Sequence, residues 1–230
     1  MPYEKERKEL KILYQDAKKE LADTGEKLVI WAGGDAPNQQ DALVQAFEAR
    51  FPGVKMHLTV DLSKYHDLKV YQQLNDGWLE PDVVMLQTMN DFENWQSMGV
   101  LEPFQPEGFS RLKKGYSAED GAFLALFMFA FLPQYAKEGL ADIPDGYTDF
   151  LKPAFKDKLV LTPPHDDDAV LFVYDHMLQK YGDGFLEKLA AQNPTFVRGT
   201  AGPPILTGRE GFLGNLTGYP TMAGQPSVGY

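Results

Sequence analysis

"KLVIWAGGDAPNQQDALVQAFEARFPGVKMHLTV", residues 27–60, carries the reading of the fold. Lys27 to Ala32 is a short apolar run of the kind that forms a strand buried on both faces. Gly33, Gly34 and Pro37 interrupt it, and Asp41 to Phe51 then spaces apolar residues as an amphipathic helix does, closed by Pro52 and Gly53. Val54 to Val60 is a second strand. Strand, loop, helix, strand is the unit of a parallel sheet, because a parallel neighbour is reached only by a crossover, and a helix is its usual form.

The unit recurs in both directions along the chain. After Val60, "DLSKYHD" (61–67) opens a helix ending at Asp76-Gly77, "PDVVMLQT" (81–88) reads as a third strand, and "MNDFENWQSMG" (89–99) as a short helix. Ahead of it, Leu10, Leu13, Tyr14, Ala17 and Leu21 share one face of an N-terminal helix. "FLALFMFAFL" (123–132) is almost purely apolar, as expected of a strand buried on both faces or of a link between lobes. The alternation then resumes: "YTDFLKPAF" (147–155) helical until Pro153, "KDKLVLT" (156–162) a strand, "DDAVLFVYDHMLQKYG" (167–182) a helix stopped by Gly182, "GFLEKLAAQN" (184–193) a helix, and "TFVRGT" (195–200) a strand. Residues 201–230 are rich in Gly and Pro, with no closing helix expected. The expected fold class is α/β, with two lobes built on mainly parallel sheets: residues 1–122, including the N-terminal helix, and residues 123–230.

Composition narrows the function. A net charge of -11 disfavours nucleic acid or an anionic membrane surface as partner, because both would repel the average surface. The absence of cysteine excludes disulfides, thiolate nucleophiles and Cys-ligated metal sites. The longest uncharged run, Gly121 to Ala136, contains Pro133 and is shorter than the roughly 20 residues of a spanning helix. The first residues contain no apolar signal core, so no signal peptide is expected in this chain. Phosphate-binding Gly-rich loops, H-E-x-x-H and the nucleophile-elbow pattern G-x-S-x-G are all missing. No cofactor is expected.

In parallel α/β sheets, ligands bind beyond the carboxyl ends of the strands. The candidate contacts are therefore Trp31, Gly33, Gly34 and Asp35 after the first strand, Tyr65 and His66 after the second, and Thr88 after the third. The later part of the chain supplies His165, Asp166, Asp167 and Asp168 in "PHDDD", and Arg198 and Thr200 in "RGTAG". The triple aspartate has two readings. One carboxylate caps the following helix and the others favour its dipole; alternatively, three adjacent like charges form a site that a cation relieves, with His165, Asp166 and Asp167 as candidate metal ligands. Trp31, Trp95, Phe127, Phe129 and Phe131 are expected in the core, with Trp31 beside the Gly-Gly turn as the exception to watch.

"KLVIWAGGD", "AFEARFPGVKMHLTVDLSKYHD", "PDVVMLQTMNDFENWQSMGVLEPF", "FLKPAFKDKLVLTPPHDDDAVLF" and "LAAQNPTFVRGT", in that order, resemble the extracellular solute-binding proteins of ABC importers, in the ferric-iron and thiamine branch. The resemblance spans residues 8–219. It implies a type II periplasmic-binding-protein fold in which two lobes close on one solute and present it to a membrane permease, in the periplasm or outside the cell. It also implies that "PHDDD" faces "GGD" and "SKYHD" across the solute. The paired tyrosines that hold iron in this branch are absent, so ferric binding is not carried over. Members usually run longer, which raises the expectation of a chain shortened at its return to the first lobe, near "FLGNLTGYPTM", with self-association through the uncovered lobe. The leading reading is a non-enzymatic binder of a cationic or polar small solute or a metal ion. Its rivals are a metal-dependent hydrolase using His165 and the aspartates, and a shortened paralogue without transport function.

Overall fold

The computed structural model describes residues 4–106, 108–128, 130–219 and 227–230. The chain divides into two compact units, one ending at Phe127 and the other starting at Met128, where the sequence reading had set its lobe limits at 122 and 123.

In the first unit, β1 (Leu28–Gly33), β2 (Met56–Asp61) and β3 (Val83–Met85) form a sheet in the order β2-β1-β3. Both pairings are parallel, with Leu28 opposite Met56, Gly33 opposite Asp61, and Ile30 opposite Val83. β1 is central because Ile30, Trp31 and Ala32 are apolar on both faces and all buried. Asp82 sets the register of β3: its carboxylate accepts the Val29 N–H at 2.8 Å while its own N–H donates to the Val29 carbonyl at 2.9 Å. The helices of this unit are α1 (Glu4–Thr24), α2 (Asp41–Arg50), α3 (Ser63–Asn75) and α4 (Met89–Ser97). Val70 of α3 and Trp95 of α4 close on Trp31 to make the core, with Val29, Leu74, Val84 and Phe92 packed around them. Because all three strands run the same way, Gly33, Asp61 and Met85 end at one edge, where α3 and α4 begin.

In the second unit, β5 (Val160–Leu161) pairs in parallel with β6 (Thr195–Phe196), while β4 (Leu132–Ala136) lies antiparallel between β7 (Gly214–Gly218) and β8 (Val228–Gly229). A single parallel bridge, Leu159 to Gly214, joins the two sets. The helices are α5 (Asp168–Tyr181), α6 (Gly184–Ala191) and the short α7 (Gly202–Leu206). The core gathers Phe150, Phe155, Leu159, Leu161, Val170, Tyr174, Met177, Phe185, Leu189 and Leu216. Gln134, Thr207 and Asn215 are wholly buried beneath it as a connected polar group: the Asn215 amide donates to Gln134 and to Thr207, at 2.5 and 2.7 Å.

Three sequence expectations change. The apolar run 123–132 is not a buried strand: it is irregular across its described residues up to Phe131, Leu126, Phe127 and Met128 are exposed, and the strand starts only at Leu132. Of the aromatics expected in the core, Phe127 is therefore at the surface, Phe131 is half-buried against Tyr219, and Phe129 lies outside the described residues. The segment 147–155 forms two 3-10 turns, Tyr147–Leu151 and Pro153–Phe155, split by the proline. The Gly-rich tail, read without a further strand, contains α7 and the fully buried β7, which pairs with β4, while residues 220–226, part of the expected return, lie outside the described residues. Its glycines hid that strand, yet they are required there, since a Cβ on Gly214 would lie 2.6 Å from the Phe150 ring and one on Gly218 2.6 Å from Gln134 Cβ.

Candidate functional site

At the carboxyl edge of the first sheet, the turn after β1 is built by close approach. The Gly34 N–H donates to the Asp61 carbonyl at 3.0 Å, and the Asp35 N–H to Gln39 Oε1 at 2.8 Å. A Cβ on Gly33 would lie 2.4 Å from Ser63 Oγ, and one on Gly34 2.6 Å from Val60 Cγ1. Ser63 opens α3 and Thr88 occupies the N-cap position of α4, yet neither hydroxyl caps its helix. Both are buried, and neither hydroxyl has a hydrogen-bond partner among the described residues. Buried hydroxyls are nearly always satisfied, so each of these two is short of a partner among the described residues. Thr88 was expected from the sequence. Ser63 was not singled out, although a serine opening a helix just past a strand end is the signal that could have found it.

Trp31 and His66, expected as ligand contacts, instead belong to the interior of this unit. Trp31 is in the core and stacks on the His66 ring, with centroids 5.1 Å apart. His66 has no exposed surface, and its Nε2 donates to the Ala32 carbonyl at 3.1 Å. Burial holds the imidazole below its usual range, the Ala32 hydrogen bond opposing that shift. Tyr65 faces outward, with Lys64 over its ring. Asp61 pairs with Lys69 at 3.0 Å; burial pushes its carboxyl upward, but Lys69 and the Leu62 amide outweigh it and leave the group below its usual range.

In the second unit the three aspartates have three fates. Asp166 is buried, accepts the Gly199 N–H at 2.8 Å, and holds Arg198 through Nη2 at 3.0 Å and Nε at 3.3 Å. Asp167 is the N-cap of α5, accepting from the Ala169 and Val170 amides at 2.9 and 3.1 Å. Asp168 is exposed in the first helical turn, and His165 is exposed beside it. Thr162, which sequence reasoning did not choose, donates to the Gly199 carbonyl at 2.7 Å, so that the loop carrying Arg198 and the half-buried Thr200 is pinned on both sides. The expected charge crowd is thus dispersed: one carboxylate neutralised, one capping, one solvated. Among the described residues no three His, Asp or Glu side chains gather as a metal site, and the candidate set His165, Asp166 and Asp167 does not assemble, because Asp166 and Asp167 turn to different partners. The arrangement presents instead a guanidinium whose side chain remains 63% exposed on an anchored carboxylate.

The family model described as bacterial extracellular solute-binding protein matches residues 80–197. No curated protein matches the chain by sequence. Among solved structures, the substrate-binding protein of an ABC transporter from Agrobacterium tumefaciens is similar at a TM-score of 0.75 and 13% identity, covering 89% of this chain and 64% of its own. Iron-bound HitA from Pseudomonas aeruginosa gives 0.68 and 13%, covering 88% of this chain and 68% of its own. The periplasmic binding protein AfuA from Actinobacillus pleuropneumoniae, with exogenous fructose-6-phosphate bound, gives 0.69 and 16%, again covering 88% and 68%. The fold is that of periplasmic binding proteins, and this chain spans about two thirds of the length of these three structures.

Proposed function

The chain belongs to the bacterial extracellular solute-binding proteins, and from that premise we propose that it captures a small polar solute outside the cytoplasm and hands it to an ABC permease. The family is one of binding proteins, not enzymes. The solute we propose carries an oxygen-rich, anionic group such as a phosphate ester or carboxylate, rather than being a bare metal ion. The observation behind this choice is the pairing of buried Asp166 with Arg198. Part of the acidic loop is spent on orienting a guanidinium, whose planar donors match oxyanions. Within the first unit, taken by itself, the buried Ser63 hydroxyl beside Gly33 and the buried Thr88 hydroxyl lack a hydrogen-bond partner among the described residues. The cation preference and the metal-dependent hydrolase weighed from the sequence both need uncommitted carboxylates, and two of the three are committed.

A thermal-shift panel tests this reading. Phosphate esters and carboxylates should include a compound that stabilises the protein saturably, by about 2.7 kcal/mol at 100 times its dissociation constant, and that is recovered unchanged. Stabilisation by divalent or ferric ions or by polyamines alone would overturn the ligand class, and conversion of the compound would overturn the binding role.

A further inference from the structure

His66 is a buried titratable group that the proposed solute contacts do not use. Its ring ties α3 to the end of β1, because Nε2 lies 3.1 Å from the carbonyl of Ala32, one residue before the Gly33-Gly34 turn. A carbonyl only accepts, so in the neutral ring Nε2 carries the proton and Nδ1 is left as a lone pair. Nδ1 is buried and has no hydrogen-bond partner among the described residues. Protonating it would place an N–H and a positive charge where no water reaches, and the Thr59 carbonyl near the ring favours the charge less than burial opposes it.

The groups around the ring do not compensate. From β1 come Trp31, stacked on it at 5.1 Å, and the Ala32 carbonyl, neither of which titrates. From β2 come the Thr59 carbonyl and Asp61, which both favour the charged ring, but Asp61 is already engaged by Lys69 at 3.0 Å. Lys69, on the same helix, also sits 5.9 Å from the Trp31 ring and opposes a second cation. Burial outweighs these neighbours and favours the neutral ring.

We propose that His66 is an acid-sensitive latch: while neutral it holds the Gly33-Gly34 turn in its binding geometry, and when acid protonates it the turn loosens and solute is released from this loop. The proposal rests on the reading of that turn as a solute contact. The sign follows from linkage. A base whose proton is less welcome in the folded protein leaves stability complete above its unfolded value of about 6.5 and erodes it as pH falls below that value.

The test needs no solute, so its outcome is separate from that of the ligand panel. Histidine ring resonances of the full chain are followed against pH by NMR, with the His66 signal identified by its loss in His66→Gln. Exchange of the Gly34 amide, which is bonded to Asp61, is measured in parallel and corrected for intrinsic rates. The expected result is a His66 midpoint below 6.5 and an opening constant for Gly34 that rises by up to about tenfold per pH unit below that value, a rise absent in His66→Gln. A His66 midpoint at or above 6.5, or the same pH profile in both proteins, would overturn the latch. If His66→Gln does not fold, His66→Asn serves for assignment and the wild-type midpoint still decides.

Discussion

Replacing the three aspartates one at a time separates their roles. Asp166→Ala removes the acceptor of the buried Gly199 N–H, which costs about 1–3 kcal/mol when nothing replaces it. The lost pair with Arg198 adds no more than about 1 kcal/mol, because that guanidinium is 63% exposed and regains water. The total expected is about 1–4 kcal/mol. Asp167→Ala strips the α5 cap and should cost about 1 kcal/mol. Asp168→Ala, at an exposed position, should stay within about 0.5 kcal/mol. All three tryptophans, Trp31, Trp78 and Trp95, lie in the first unit, so their fluorescence does not report on these sites. Urea unfolding is therefore followed by far-ultraviolet circular dichroism, with amide exchange at Gly199, Ala169 and Val170 as the local readout. An Asp168→Ala variant as damaged as Asp166→Ala, or an Asp166→Ala variant within 0.5 kcal/mol of wild type, would refute the division of roles.

Gly34→Ala should destabilise the protein by about 1–3 kcal/mol, since the added Cβ meets Val60 at 2.6 Å, and thermal unfolding reads this directly. Gly33→Ala should be milder, because the atom it meets is the rotatable Ser63 hydroxyl; equal losses would show that the turn, not the contact, is limiting. Leu159→Ala, at a residue with no exposed surface beside the Leu159–Gly214 bridge, should cost about 2–5 kcal/mol in urea unfolding.

The strands and helices of the first unit were legible because each obeys a local rule: apolar runs of strand length, Gly and Pro stops, and helical spacing between them. β7 was not, because its two glycines answer to Phe150 and Gln134, which are remote in sequence. The run 123–132 had two readings, a buried strand or a link between lobes: Leu126, Phe127 and Met128 stay exposed, which excludes the first, and the boundary between the two units falls inside the run, which fits the second. In the second unit the place of the acidic loop was readable, and the partners of its carboxylates were not. "PHDDD" lies beyond the end of β5, as strand and helix patterns imply, but the charge it presents depends on Arg198, 32 residues further on from Asp166. The helix cap by Asp167 was one of the two readings open from sequence, and its two amide contacts select it for that residue. His66 sits on the same helix turn as an outward-facing Tyr65, and only the packing of α3 on Trp31 tells them apart.

The central claim is that Arg198, held by Asp166, receives an anionic group of the solute. Isothermal titration of the strongest anionic compound from the panel into wild type, Arg198→Lys and Arg198→Ala tests it most directly. The account predicts one site in the wild type, an affinity at least about tenfold weaker in Arg198→Ala, and an intermediate value in Arg198→Lys, which keeps the charge but not the planar fork. Equal affinity in all three proteins, or a wild type that binds only a metal ion with Arg198→Ala unchanged, would contradict it.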